Sequence, residues 1–94
     1  MGYPNLIYMF GLMEKSIRSE QYRRLIQLFR RMRENKGITQ SDLAQLIGEN
    51  QNFVSKVETL ERRLDVIELR TMCEAIGVSF PHFIKEFEKS IANA

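Results

Sequence analysis

Ninety-four residues fill one small domain, because a chain this short buries enough surface for a single core and not for two. Apolar residues at 44% and charged residues at 28% are the proportions of a globular chain and exclude those of a disordered one. A lone cysteine, Cys73, and a lone histidine, His82, exclude an internal disulfide and a zinc site, and they suit a reducing cytoplasm.

The formal charge of +2 says little by itself, but its placement says more. Between positions 16 and 37 stand Arg18, Arg23, Arg24, Arg30, Arg31, Arg33 and Lys36 against Glu20 and Glu34, a local net charge of +5. Such a cluster on one helix is either a basic binding face or an ordinary solvated surface.

In chain order, residues 1–18 read as an N-terminal arm with apolar Tyr3, Leu6, Ile7, Tyr8, Met9, Phe10 and Leu12. The arm is no signal peptide by its pattern: no basic stretch precedes the apolar run, Gly11 interrupts it, and Glu14 stands where a small-residue cleavage site belongs. It falls short of the roughly 20 apolar residues that a membrane span needs, so a soluble protein is expected. Two readings stay open for the arm. It packs on its own core or on a partner subunit, or it is an upstream extension of a chain that starts at Met13.

From Ser19, the positions Tyr22, Leu25, Ile26, Phe29 and Met32 recur at helical spacing, and Gly37 ends that helix. Thr39 and Asp42 form a capping box that opens a second, short helix with Leu43, Ala44, Leu46 and Ile47, stopped by Gly48. After a turn of about three residues, Asn50 caps a third helix. Its Phe53, Val54 and Val57 face inward, and Gln51, Asn52, Ser55 and Lys56 lie elsewhere. A polar connection at 59–64 precedes a second capping box, Asp65 with Glu68, and a fourth helix that turns Val66, Leu69, Met72, Cys73 and Ile76 inward before Gly77. Ser79 caps the last helix, with Pro81 in its first turn and Phe80, Phe83, Ile84, Phe87 and Ile91 as its stripe.

The expected fold is therefore all-α, five helices with an apolar N-terminal arm, divided as arm 1–18, helical domain 19–79 and C-terminal helix 80–94. Cys73 on an apolar helix face reads as a packed thiol without a chemical role, and His82 beside Pro81 as a surface residue.

Two short helices joined by a tight turn, with Ala44 at the contact and Gly48 at the bend, let the second helix protrude. A protruding helix that opens with small polar side chains fits the B-DNA major groove, about 12 Å wide, where glutamine and asparagine suit adenine and lysine suits guanine or phosphate.

The run Ile38-Thr39-Gln40-Ser41-Asp42-Leu43-Ala44-Gln45-Leu46-Ile47-Gly48, then Gln51, Phe53 to Glu58 and Arg62-Arg63-Leu64-Asp65, resembles the lambda-repressor and Cro-type (xenobiotic-response-element) helix-turn-helix family. The likeness extends from about Tyr22 to Phe80. It implies base reading by Gln51, Asn52, Ser55 and Lys56, and phosphate contact and bracing by Thr39, Gln40, Arg62 and Arg63. It implies a buried structural ion pair between Arg33 and Glu58. Two positions depart from the family pattern. Glu49 replaces an apolar turn residue, which leaves Phe53 to fill the gap in the core, and Leu60 replaces the glycine that usually follows the third helix.

One such unit contacts too few base pairs for secure specificity, so a homodimer on a pseudo-palindromic double-stranded DNA operator is expected, with repression as the outcome. The terminal helix or the arm could supply the dimer surface, although an aromatic stripe such as Phe80, Phe83 and Phe87 reads first as core. With no Gly-rich phosphate loop and no carboxylate pair in a predicted pocket, the chain is not expected to be an enzyme or to need a cofactor. The alternatives are an antitoxin-like module that binds a protein partner on the same fold, and a restriction-modification controller.

Overall fold

Where the capping signals stand, the helices begin. The computed structural model describes residues 15–93. These form α1 (Lys15–Asn35), α2 (Gln40–Ile47), α3 (Gln51–Glu58), α4 (Val66–Ala75) and α5 (Phe80–Ala92), with no strand among the described residues. The all-α expectation holds. The arm expected at 1–18 lies outside the described residues up to position 14, and its last four positions belong to α1, which starts at Lys15 rather than Ser19. Apolar periodicity marks where a helix begins to pack. Nothing in Lys15 to Arg18 opposes helical backbone, so the helix extends beyond its packed part.

Each short helix is delimited by local hydrogen bonding. The Thr39 hydroxyl accepts from Asp42 N at 3.0 Å, and Thr39 N donates to the Asp42 carboxylate at 3.2 Å. At the other end of α2, Gly48 adopts φ +73°, a left-handed conformation that glycine takes without a Cβ penalty. This lets Glu49 N donate to Ala44 O at 2.9 Å. Asn50 Oδ1 accepts from Phe53 N at 3.0 Å and starts α3 only three residues after α2 ends. Asp65 and Glu68 exchange the same reciprocal pair of bonds at 2.7 and 3.0 Å, and Ser79 Oγ accepts from His82 N at 3.3 Å.

The core lies where α1, α3, α4 and α5 converge, around Ile26, Phe29, Val54, Val57, Met72, Ile76 and Phe83. Phe29 and Phe83 meet edge to face, their centroids 6.3 Å apart. The α5 stripe also turns inward, with Phe80, Ile84 and Phe87 packed against this core. α2 packs on α3 and α4, burying Leu43 and Ala44.

Val66, expected to face inward, is outside, and so is the α2 apolar residue Leu46. Leu46 is 61% exposed and Val66 62% exposed. Leu43, Ala44 and Ile47 share one arc of α2, and at about 100° per residue Leu46 falls off it. Val66 is the first residue of α4. It sits a full turn ahead of Leu69, beyond the edge of the core.

Cys73 is fully buried. Burial pushes its thiol up from an ordinary 9.0 to about 12, with a smaller contribution from neighbouring Glu74. The folded protein is therefore expected to resist alkylation at about pH 8 and to react in denaturant, read by mass shift. The folded-state value is raised, so stability is intact below pH 9.0 and should fall as pH climbs toward about 12, while the unfolded thiol ionises and the folded one does not. Equal labelling of folded and unfolded protein would contradict this burial.

Candidate nucleic-acid interface

The two sides of α3 differ in chemistry. Val54, Val57 and Glu58 are buried, whereas Gln51, Asn52 and Lys56 are exposed and Ser55 is half-buried. Residues four apart on a helix are neighbours, so Gln51 stands beside Ser55 and Asn52 beside Lys56. The four side chains expected to read bases thus share one short polar surface.

The carboxylate at the end of α3 fixes how that surface is turned. Glu58 has no exposed side-chain area and receives a two-pronged contact from Arg33 of α1, Nε to Oε2 at 2.7 Å and Nη2 to Oε1 at 2.9 Å. Arg33 Nη1 donates to Ile38 O at 2.6 Å, and Gln40 Nε2, at the start of α2, donates to Glu58 Oε1 at 3.0 Å. Every buried side-chain polar atom among the described residues has a partner. The hydrogen bond to Glu58 raises the Arg33 pKa against the cost of burial. Arg33 is thus fixed in its charged form, bridging α1, the α1–α2 turn and α3. Gln40 reaches the same carboxylate from α2. The Thr39 hydroxyl is occupied by its cap.

The basic face read from the α1 sequence is smaller in the structure. Arg33 is buried, Arg23 and Arg24 lie 3.6 and 3.5 Å from Glu20, and Arg30 lies 3.3 Å from Glu34. Of the seven cations counted there, only Arg18, Arg31 and Lys36 make no ion pair among the described residues.

The two loop arginines also have partners. Arg62 clamps Glu68 through both terminal nitrogens at 2.9 Å, donates to Arg63 O at 2.7 Å, and lies 4.6 Å from the Phe53 ring centroid. The bond to Arg62 lowers the Glu68 pKa, and the same bond raises that of Arg62. Arg63 lies over Tyr22 at 4.3 Å, and the Tyr22 hydroxyl accepts from Leu64 N at 3.1 Å. Sequence reasoning missed the Arg62–Glu68 clamp, because the capping box already accounted for Glu68. A salt bridge across six positions and a loop has no periodic signature.

Both departures from the family pattern have a structural account. Phe53 packs against the core beneath Arg62 and, with Ile47, Glu49 and Ile67, lines a shallow groove between the α2–α3 turn and α4. Leu60 takes φ +69°, the only positive φ at a non-glycine residue among those described. The loop has kept a glycine's backbone while carrying a leucine.

A family model for helix-turn-helix proteins matches residues 29–83, the span from α1 through the start of α5. The chain belongs to this family. A solved structure of an XRE-family like protein from Pseudomonas syringae pv. tomato str. DC3000 is 41% identical, with a TM-score of 0.77 over 81% of this chain and 93% of that one. A search of curated proteins found no match. As a helix-turn-helix protein of the Cro/C1 type, the chain is a DNA-binding transcription regulator. In it α2 and α3 are the paired helices and α3 carries the exposed polar surface. No helix among the described residues is long and apolar enough to cross a membrane.

Replacing Arg33 with methionine strands the Glu58 carboxylate in a buried site and is expected to cost about 3–5 kcal/mol. Replacing Arg33 and Glu58 together by methionine should recover much of that loss, as measured by urea unfolding. A single and a double variant of equal stability would mean that the buried charge is not what Arg33 compensates.

Proposed function

We propose that this regulator binds a specific pseudo-palindromic operator as a homodimer, lays α3 in the major groove of each half-site, and represses by occupying the site. The observation that carries the reading is the exposed polar surface of α3 held against the core by a fully buried carboxylate. Side chains that read base edges discriminate only when their helix is held in one orientation. Gln51 would meet an adenine edge, Asn52 and Ser55 would read neighbouring positions, and Lys56 would meet guanine or phosphate. Thr39 and Gln40 sit at the start of α2, where backbone amides and the glutamine meet a phosphate. In this reading Arg63 approaches the DNA backbone. Arg62 acts indirectly by holding the loop through Glu68 and Phe53. No catalytic step or cofactor enters, and the protein works in the cytoplasm by binding alone.

Selection from random duplex DNA at about 150 mM salt should enrich a two-fold symmetric site with half-site centres about 34–36 Å apart and two chains per duplex. Substituting Gln51 by alanine should relax preference at one or two positions of each half-site, at a cost of about 1–3 kcal/mol. An unchanged profile would remove Gln51 from the reading surface. For the loop, Arg63→Ala should lower the salt-dependence slope by about 1, whereas Arg62→Ala should also lower the melting temperature because Glu68 and Phe53 lose their partner. If Arg63→Ala leaves the slope unaltered, its phosphate role is lost.

A second reading, a protein-interaction module on the same fold, is favoured by the exposed apolar Leu46 and Ile67 and by the groove beside Phe53. Failure of the selection to enrich any sequence would turn the weight to it.

A further inference from the structure

We propose that Leu60 is the apolar centre of the contact between two copies of this chain, with Glu61 of each copy facing Arg23 of the other. The inference rests on the dimeric reading above and names its surface.

Leu60 carries a strained backbone, and the strain buys little inside its own chain. At φ +69° a leucine Cβ crowds the backbone in a way that glycine avoids, and the side chain remains 38% exposed. The conformation is imposed from outside the residue. Leu60 N donates to Val57 O at 3.1 Å, and Glu61 N and Arg62 N both donate to Lys56 O, at 2.8 and 3.1 Å. The loop would keep this shape with glycine at lower cost, so what leucine adds is its side chain. That side chain borders a recess shared with Arg23, Ile26, Gln27 and Arg30 of α1.

A contact between identical copies across a two-fold axis must be self-complementary. This patch qualifies. Its apolar centre is flanked by the exposed guanidiniums of Arg23 and Arg30 and by the exposed carboxylate of Glu61, which accepts from the Thr59 hydroxyl at 2.7 Å. Among the described residues Arg23 pairs with Glu20 of its own helix at 3.6 Å, and Arg30 lies 3.3 Å from Glu34 and 3.9 Å from Glu58, with more than half of each arginine side chain exposed. Pairs of that kind exchange partners at little cost.

Position supports the same occupant. Leu60 lies two residues beyond the end of α3. A two-fold axis beside it leaves the opposite end of each α3, with Gln51 and Asn52, directed away from the axis and free to enter its own half-site. Of the two surfaces the sequence offers, the α5 stripe packs against the core through Phe80, Phe83, Ile84 and Phe87, and the arm lies outside the described residues up to position 14.

The test is Leu60→Gly, which separates a docking role from a folding role because it should move the two in opposite directions. Urea unfolding over about a hundredfold range of protein concentration should give a higher midpoint for the dilute variant. Sedimentation should show its dimer dissociation constant weakened at least about tenfold. Glu61→Arg should weaken the dimer similarly, and adding Arg23→Glu in the same chain should restore it. A Leu60→Gly protein that dimerises like the parent, or a charge exchange without rescue, overturns the assignment. A parent protein that stays monomeric even on a symmetric duplex overturns both this surface and the dimeric reading.

Discussion

One buried carboxylate determines how the polar surface of α3 is presented. Glu58 occupies the last position of α3, has no exposed side-chain area, and accepts hydrogen bonds from α1 and from the first residue of α2. Apolar packing of Val54 and Val57 holds α3 against the core, but the hydrophobic effect is non-directional and tolerates rotation of an eight-residue helix. A two-pronged guanidinium–carboxylate contact does not. Such a pair adds little net stability over an apolar replacement. Its consequence here is register. Arg33 also bonds Ile38 O, so the α1–α2 turn is set by the group that sets α3.

The same economy recurs in the loop that follows α3. Glu68 Oε1 accepts from Asp65 N at 3.0 Å and from Arg62 at 2.9 Å, so one carboxylate both starts α4 and fixes the loop that leaves α3. Arg62 in turn covers Phe53, on the first turn of α3. Arg62 and Glu68 thus tie the loop, α3 and α4 together. Rigidity of this kind suits a reader of base edges, whose discrimination depends on side chains held close to their productive geometry.

The charge distribution follows from these contacts. A net charge of +2 is small for a DNA-binding chain, and several arginines are engaged with glutamates on their own helix or across the fold. Affinity for phosphate comes from cations that remain available at the interface. Their number is lower than the sequence count on α1 suggests. Fewer unpaired charges weaken electrostatic binding to every sequence alike.

The element order, the N-caps of α2 to α5 and the polar surface of α3 could be read from the sequence, because each depends on residues three or four apart. Thr39 with Asp42, Asn50 with Phe53, Asp65 with Glu68, and the left-handed stop at Gly48 are all local events. The buried pair was legible only through resemblance to a family, because Arg33 and Glu58 are 25 positions apart. The true start of α1 and the exposure of Leu46 and Val66 were not legible. Periodicity reports a face and not where the core ends. Only the tertiary structure decided which arginines keep a free charge and that Leu60 occupies a glycine's conformation. Both depend on partners brought together across turns, and no local pattern encodes the distance between side chains that the chain brings together only when it folds.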